Sequence, residues 1–136
     1  MLDDMNLQLE RELFQRFLRK EKVDRFLWML ESPKRRNKIF DDLRDIRYFD
    51  EESCKELTNQ EKSPATIIDR LKNLGVKNVV YIISDDDDYD GTEQSLEPFI
   101  KAQLWHTEEV LGYCSKSKVG FFKNHEGWFY ILSNNR

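Results

Sequence analysis

The densest concentration of chemistry-bearing side chains is Asp85-Asp86-Asp87-Asp88-Tyr89-Asp90-Gly91, with a further carboxylate at Glu97. From Asp86 onward the spacing is Asp-x-Asp-x-Asp-Gly, then five residues, then glutamate, which is the spacing of a calcium loop. The chemistry is coherent. Calcium takes about six to eight oxygen ligands, carboxylates at alternate positions converge on one centre, and a glycine permits the sharp turn. Asp86, Asp88, Asp90 and Glu97 are therefore the candidate ligands for calcium, or for magnesium with fewer carboxylates and more water. Other features point to a solvated acidic turn instead. A strand-like run precedes the loop where a helix belongs, Glu93 stands where a branched apolar residue is expected, and Pro98 follows Glu97 directly. On that reading Asp90-Gly91 is turn chemistry and Ser95 caps the next helix. A loop this acidic could also dock onto a basic partner.

Catalytic grammar is sparse. There is no Gly-x-Ser-x-Gly elbow, no phosphate-cradling glycine loop and no His-Glu-x-x-His helix. His106 and His125 lack a second His, Cys or carboxylate at zinc-ligand spacing. A carboxylate–histidine enzyme would draw on Asp90, Glu97 and His106, in a cleft at the carboxyl end of the strand that precedes the acidic loop. Lys34-Arg35-Arg36 and Lys38 form the only basic cluster, and Asp41, Asp42 and Asp45 follow within two turns. Those residues read as a solvated helix surface with opposite charges near i, i+4. Nucleic acid is not the expected partner, because a dedicated binder carries a strongly basic footprint.

The elements that must position these groups change character near the middle of the chain. From about residue 7 to 74 the apolar spacing is helical: Leu9, Leu13 and Phe17, then Val23, Phe26, Leu27 and Leu30. Glu10, Glu12 and Arg16 fall on the other face of the first helix. Lys20-Glu21-Lys22 breaks or bends it. Ser32-Pro33 and Ser63-Pro64 each read as a cap followed by proline at the first helical position. Asp50 could cap a short helix through Leu57, and Gly75 supplies a stop. Val79-Val80-Tyr81-Ile82-Ile83 then marks a strand covered on both faces. A helix from Leu96 to about Trp105 and three strands follow, at Val110 to Cys114, Lys118 to Phe122 and Trp128 to Leu132. Asn124-His125-Glu126-Gly127 is a hairpin turn.

The expected fold is α+β over 1–136 as one domain. A helical subregion of about 1–74 packs on one face of a mainly antiparallel sheet of about four strands, in the order strand-helix-strand-strand-strand from about 75 to 136. Phe122, Trp128 and Tyr130 lie on the final hairpin. If one face of that hairpin stays uncovered, they form an apolar patch for a protein partner. Composition agrees with a folded domain: 136 residues, 39% hydrophobic, 12% aromatic, and a net charge of only −4 despite 35% charged residues. Cys54 and Cys114 fit reduced thiols, no signal-peptide pattern opens the chain, and no apolar run would span a bilayer. A cytoplasmic location is expected, without a membrane partner.

Ser32-Pro33-Lys34-Arg35-Arg36, Tyr81-Ile82-Ile83-Ser84, Asp90-Gly91 with Leu96, and Gly120-Phe121-Phe122 together resemble a group of small bacterial proteins of unknown function. The resemblance implies a bacterial cytosolic source and carries no activity with it. The function expected is a non-enzymatic interaction or regulatory module, such as an adaptor or an inhibitor presenting acidic surface to a basic partner. Metal binding and a carboxylate–histidine enzyme are the alternatives.

Overall fold

Helix boundaries fall where side chains can hold or stop a turn. A computed structural model describes residues 4–134. Its first helix, α1 (Asp4–Phe17), ends just before the charged Lys20-Glu21-Lys22, and α2 (Lys20–Leu30) begins there. The break is held from a distance. Arg19 N donates to Tyr48 O at 3.0 Å, Asp50 N donates to Phe17 O at 2.8 Å, and Leu18 bridges Phe49. The two Ser-Pro pairs open α3 (Pro33–Leu43) and α4 (Pro64–Asn73). Ser63 Oγ accepts from Thr66 N at 3.2 Å, and Gly75, at φ 105°, ends the turn after α4.

The segment after Asp50 departs from expectation. It forms one 3-10 turn at Glu51–Ser53 and then a strand, β1 (Cys54–Glu56), rather than a helix to Leu57. The reason is tertiary: Cys54, Lys55 and Glu56 pair antiparallel with Leu132, Ile131 and Tyr130. Next come β2 (Val79–Ser84), β3 (Thr92–Ser95), α5 (Leu96–Ala102), β4 (Val110–Cys114), β5 (Val119–Lys123) and β6 (Phe129–Leu132). The sheet has six strands in the order β1-β6-β5-β4-β2-β3, and every neighbouring pair is antiparallel. The two strands beyond the expected four are its edges, which are short and polar. Such edges resist pairing with other chains.

Side-chain alternation then divides the core in two. Tyr81, Ile83, Leu111, Tyr113, Phe122, Tyr130 and Leu132 face Leu13, Phe14, Phe17, Phe26 and Met29 of the N-terminal helices. Val80, Ile82, Val110, Val119, Phe121, Phe129 and Ile131 face α4 and α5 through Ile67, Leu71, Phe99 and Ile100. Helices therefore cover both faces of the sheet, not one as expected. The chain has enough helix for two layers because α4 and α5 cross to the side opposite α1–α3. Fully burying each of these large side chains contributes about 1.5–3 kcal/mol, so neither layer is dispensable. Among the described residues no helix is long and apolar enough to cross a membrane.

Candidate functional site

The carboxyl end of β2, the start of β4 and the end of β5 meet at one end of the sheet, and there acids crowd together. One carboxylate oxygen each from Asp85, Glu108 and Glu109 lies within 4.8 Å of the others. Glu109 is buried. Its Oε2 accepts from His125 N at 2.6 Å, and its Oε1 accepts from Arg44 Nε at 3.3 Å and sits 3.1 Å from His125 Nδ1. Burial pushes the Asp85 carboxyl above the usual carboxylate range, and the charge of Glu108 pushes it the same way, against a hydrogen bond from the Glu109 backbone. Lys123, also buried, donates through Nζ to Thr107 O and lies 5.5 Å from the centre of the Trp105 ring. Its ammonium is pulled below the usual lysine range by burial, and the charges of Glu109, Asp85 and Glu108 oppose that shift. The indoles of Trp105 and Trp128 are exposed at this same end. Trp128 is placed by the β5–β6 turn, where Asn124 Oδ1 accepts from Trp128 N at 2.9 Å and Gly127 takes φ 86°.

Two kinds of chemistry are within reach of this cluster. Three single carboxylate oxygens could hold one face of a divalent cation, with water completing its shell. Arg44 already occupies Glu109 Oε1 and would have to give way. Glu109 and His125 also form a carboxylate–histidine couple, which can orient an imidazole as a general base. His125 Nε2 then faces Glu126 Oε1 at 3.7 Å rather than an enclosed space.

A second constellation lies behind the acidic loop. Glu10 of α1 is fully buried, and Arg36 of α3 bonds both its oxygens, Oε2 at 2.8 Å. The same guanidinium reaches Asp90 at 3.0 and 2.9 Å. Tyr81 donates to Glu10 Oε2 at 2.5 Å, and Ser84 N donates to Asp90 Oδ1 at 3.1 Å. Burial raises the Glu10 carboxyl above its ordinary value even though Arg36 and Tyr81 pull it down. Burial also works against the Arg36 charge, yet the bonds from Glu10 and Asp90 more than offset it, and its pKa is raised. Every member is partnered. The network fastens α1 and α3 to β2 and to the loop.

The opposite ends of the same strands hold a cavity of about 610 Å³. Val79 shares the sheet face of Tyr81 by alternation, and Glu93 shares it through its register with Tyr81. The N-terminal helices cover this face at Tyr81 and Ile83, whereas Val79, at the start of β2, stays exposed. Leu9, Leu74, Val79 and Tyr113 provide apolar wall, and Lys77, Lys116, Ser115 and Ser117 line the rest.

The residues singled out from sequence separate accordingly. Asp90 is held by Arg36. Glu97 faces Lys72 at 2.7 Å and Lys101 at 3.6 Å on the other layer. Asp86 Oδ1 accepts from Asp88 N at 2.9 Å, which is turn chemistry. Asp86, Asp88, Asp90 and Glu97 are thus not gathered on one centre. His106 lies exposed in a 3-10 turn, and no contact joins it to Asp90 or Glu97 among the described residues. Phe122 and Tyr130 are not surface. They stack on each other at 6.2 Å under the N-terminal helices, and Phe122 also stacks on Phe49 at 5.1 Å. Only Trp128 of the proposed aromatic patch is exposed. From sequence, Glu10 and Arg36 read as solvated positions and Glu109 is not singled out, because their partners are distant in sequence. No protein-family model, no curated protein and no solved structure matches this chain.

Proposed function

We propose that this chain is a non-enzymatic interaction module that docks a basic partner through the acid-rich end of its sheet. The observation that carries the reading is the crowding of Asp85, Glu108 and Glu109, continued outward by Asp86, Asp87, Asp88 and Glu126. Like charges held this close are destabilising on their own and are relieved by an approaching cation. Trp105 and Trp128, exposed beside them, are the residue type that anchors interfaces. The general-base geometry of Glu109 and His125 is better explained as turn anchoring, because the same carboxylate also accepts from the His125 backbone N–H.

The test is fluorescence anisotropy with labelled octalysine and octaglutamate peptides as probes. Octalysine binding should fall steeply with salt and be lost in Glu108→Lys/Glu126→Lys, with octaglutamate inert toward the parent. Equal binding of both peptides, or octalysine binding unchanged by the double reversal, would overturn the proposal.

A further inference from the structure

The cavity at the other end of the sheet has the dimensions of a small-molecule site, since such sites run to about 300–1,000 Å³ and combine apolar walls with a few polar groups. Its walls are not an accident of loose packing. Val79 opens a β-branched and aromatic run yet remains 49% exposed, and Leu74, after α4, is 44% exposed. Leu9 of α1 closes the third side. An apolar surface of this shape is emptied of water at a gain when an apolar body fills it.

The polar groups are asymmetric. Lys77 and Lys116 stand on the rim beside the Gly75–Ser117 contact, and neither ammonium has an acid partner among the described residues. This distinguishes them from Lys72, which Glu97 neutralises. Ser117 Oγ is enclosed without a hydrogen-bond partner among the described residues, a donor left over at the same corner. Among the described lining residues the one carboxylate, Glu93, belongs to β3 and opposes any anion placed beside it. Charge therefore polarises the cavity, positive at the β4–β5 turn and negative at the sheet edge.

We infer that this cavity binds a small amphipathic anion, its apolar body against Leu9, Leu74 and Val79 and its carboxylate between Lys77 and Lys116. The site is independent of the acidic end, because the two occupy opposite ends of β2 and β4.

Octanoate, octylammonium and octanol share a chain and differ in head group, so they separate the charge requirement from simple partitioning. Each is titrated into isotopically labelled full-length protein while backbone amide shifts are followed. Octanoate should shift residues 74–81 and 113–117 saturably, octanol more weakly, and octylammonium least. Lys77→Ala/Lys116→Ala should weaken octanoate roughly tenfold, as expected for losing two solvent-facing cations, while leaving octanol unchanged. Both lysines are exposed, so the variant keeps the fold, which its amide spectrum verifies. Octylammonium binding as well as octanoate, perturbations centred elsewhere, or the absence of any saturable shift would overturn the inference.

Discussion

Removing Arg36 strands a fully buried carboxylate, and the size of the penalty can be worked out. Glu10 is reached by no solvent, and its neighbours are Arg36 and Tyr81. Breaking a buried pair by deleting one partner costs about 3–5 kcal/mol. Glu10 has an escape, because it can take up a proton. From its ordinary value of 4.5, that route caps the Glu10 part of the penalty at ~3.5 kcal/mol at pH 7 and at ~1.4 kcal/mol at pH 5.5, given about 1.4 kcal/mol per pH unit. Arg36→Ala should therefore cost about 3–5 kcal/mol at pH 7, counting lost packing and the freed Asp90, and clearly less at pH 5.5. The sign for the parent follows similarly. A carboxyl whose folded pKa is raised favours the native state while protonated, so stability from Glu10 falls as pH rises from 4.5 through its folded value. Glu10→Gln should flatten that slope, and Glu10→Gln/Arg36→Ala should cost less than the two single changes combined. The assay is urea unfolding followed by tryptophan fluorescence at both pH values. An Arg36→Ala penalty below about 1 kcal/mol, or one that does not shrink toward acid, would refute an ionised Glu10 stabilised by Arg36.

Three further outcomes are expected. A Cβ on Gly112 would sit 2.1 Å from Phe121 Cε2 across the β4–β5 register. Gly112→Ala should thus cost about 3 kcal/mol or more, and Phe121→Leu should restore part of it, both read by thermal unfolding. Because Glu97 faces Lys72 and Lys101, added calcium should shift the unfolding midpoint of Glu97→Gln no differently from that of the parent; a calcium-induced rise that vanishes in the variant would contradict this placement. The Cys54 thiol is pushed up to about 12 by burial and by the Asp50 charge. Iodoacetamide at mildly alkaline pH should accordingly label Cys114 in the native protein and Cys54 only after unfolding, as counted by mass spectrometry of the peptides.

What could be read from the sequence was local. The Ser-Pro pairs, the Gly75 stop and the β-branched run before the acidic loop each carry their cause within a few residues, and those elements formed where expected. The edge strands did not announce themselves. Cys54-Lys55-Glu56 and Thr92-Glu93-Gln94-Ser95 have no apolar alternation, because each is paired on one side only and its conformation comes from β6 or β2. The site residues were hidden for a related reason. Glu10 occupies a helical position that a polar face would also fill, and Arg36, a full helix hairpin away, with Tyr81 of β2 makes its burial tolerable. Likewise Arg36 belonged to a basic cluster that looked solvated. The acidic loop was conspicuous by composition, yet Asp85, its first and least distinctive aspartate, is the member that meets Glu108 and Glu109.

The pairing of β1 with β6 also governs the order of events during synthesis. Cys54 to Glu56 emerge from the ribosome long before Tyr130 to Leu132, the residues that must accept them. Until then β1 has no strand to pair with, and Tyr130 and Leu132 are missing from the sheet face that the helical layer packs on. The helices can form early and β2, β4 and β5 can cover much of their apolar face, but that face is completed only when β6 arrives. Folding is thus gated from the C-terminal side. A ribosome stalled before residue 129 would hold out a sticky, half-assembled chain, the kind of intermediate that chaperones are built to shield.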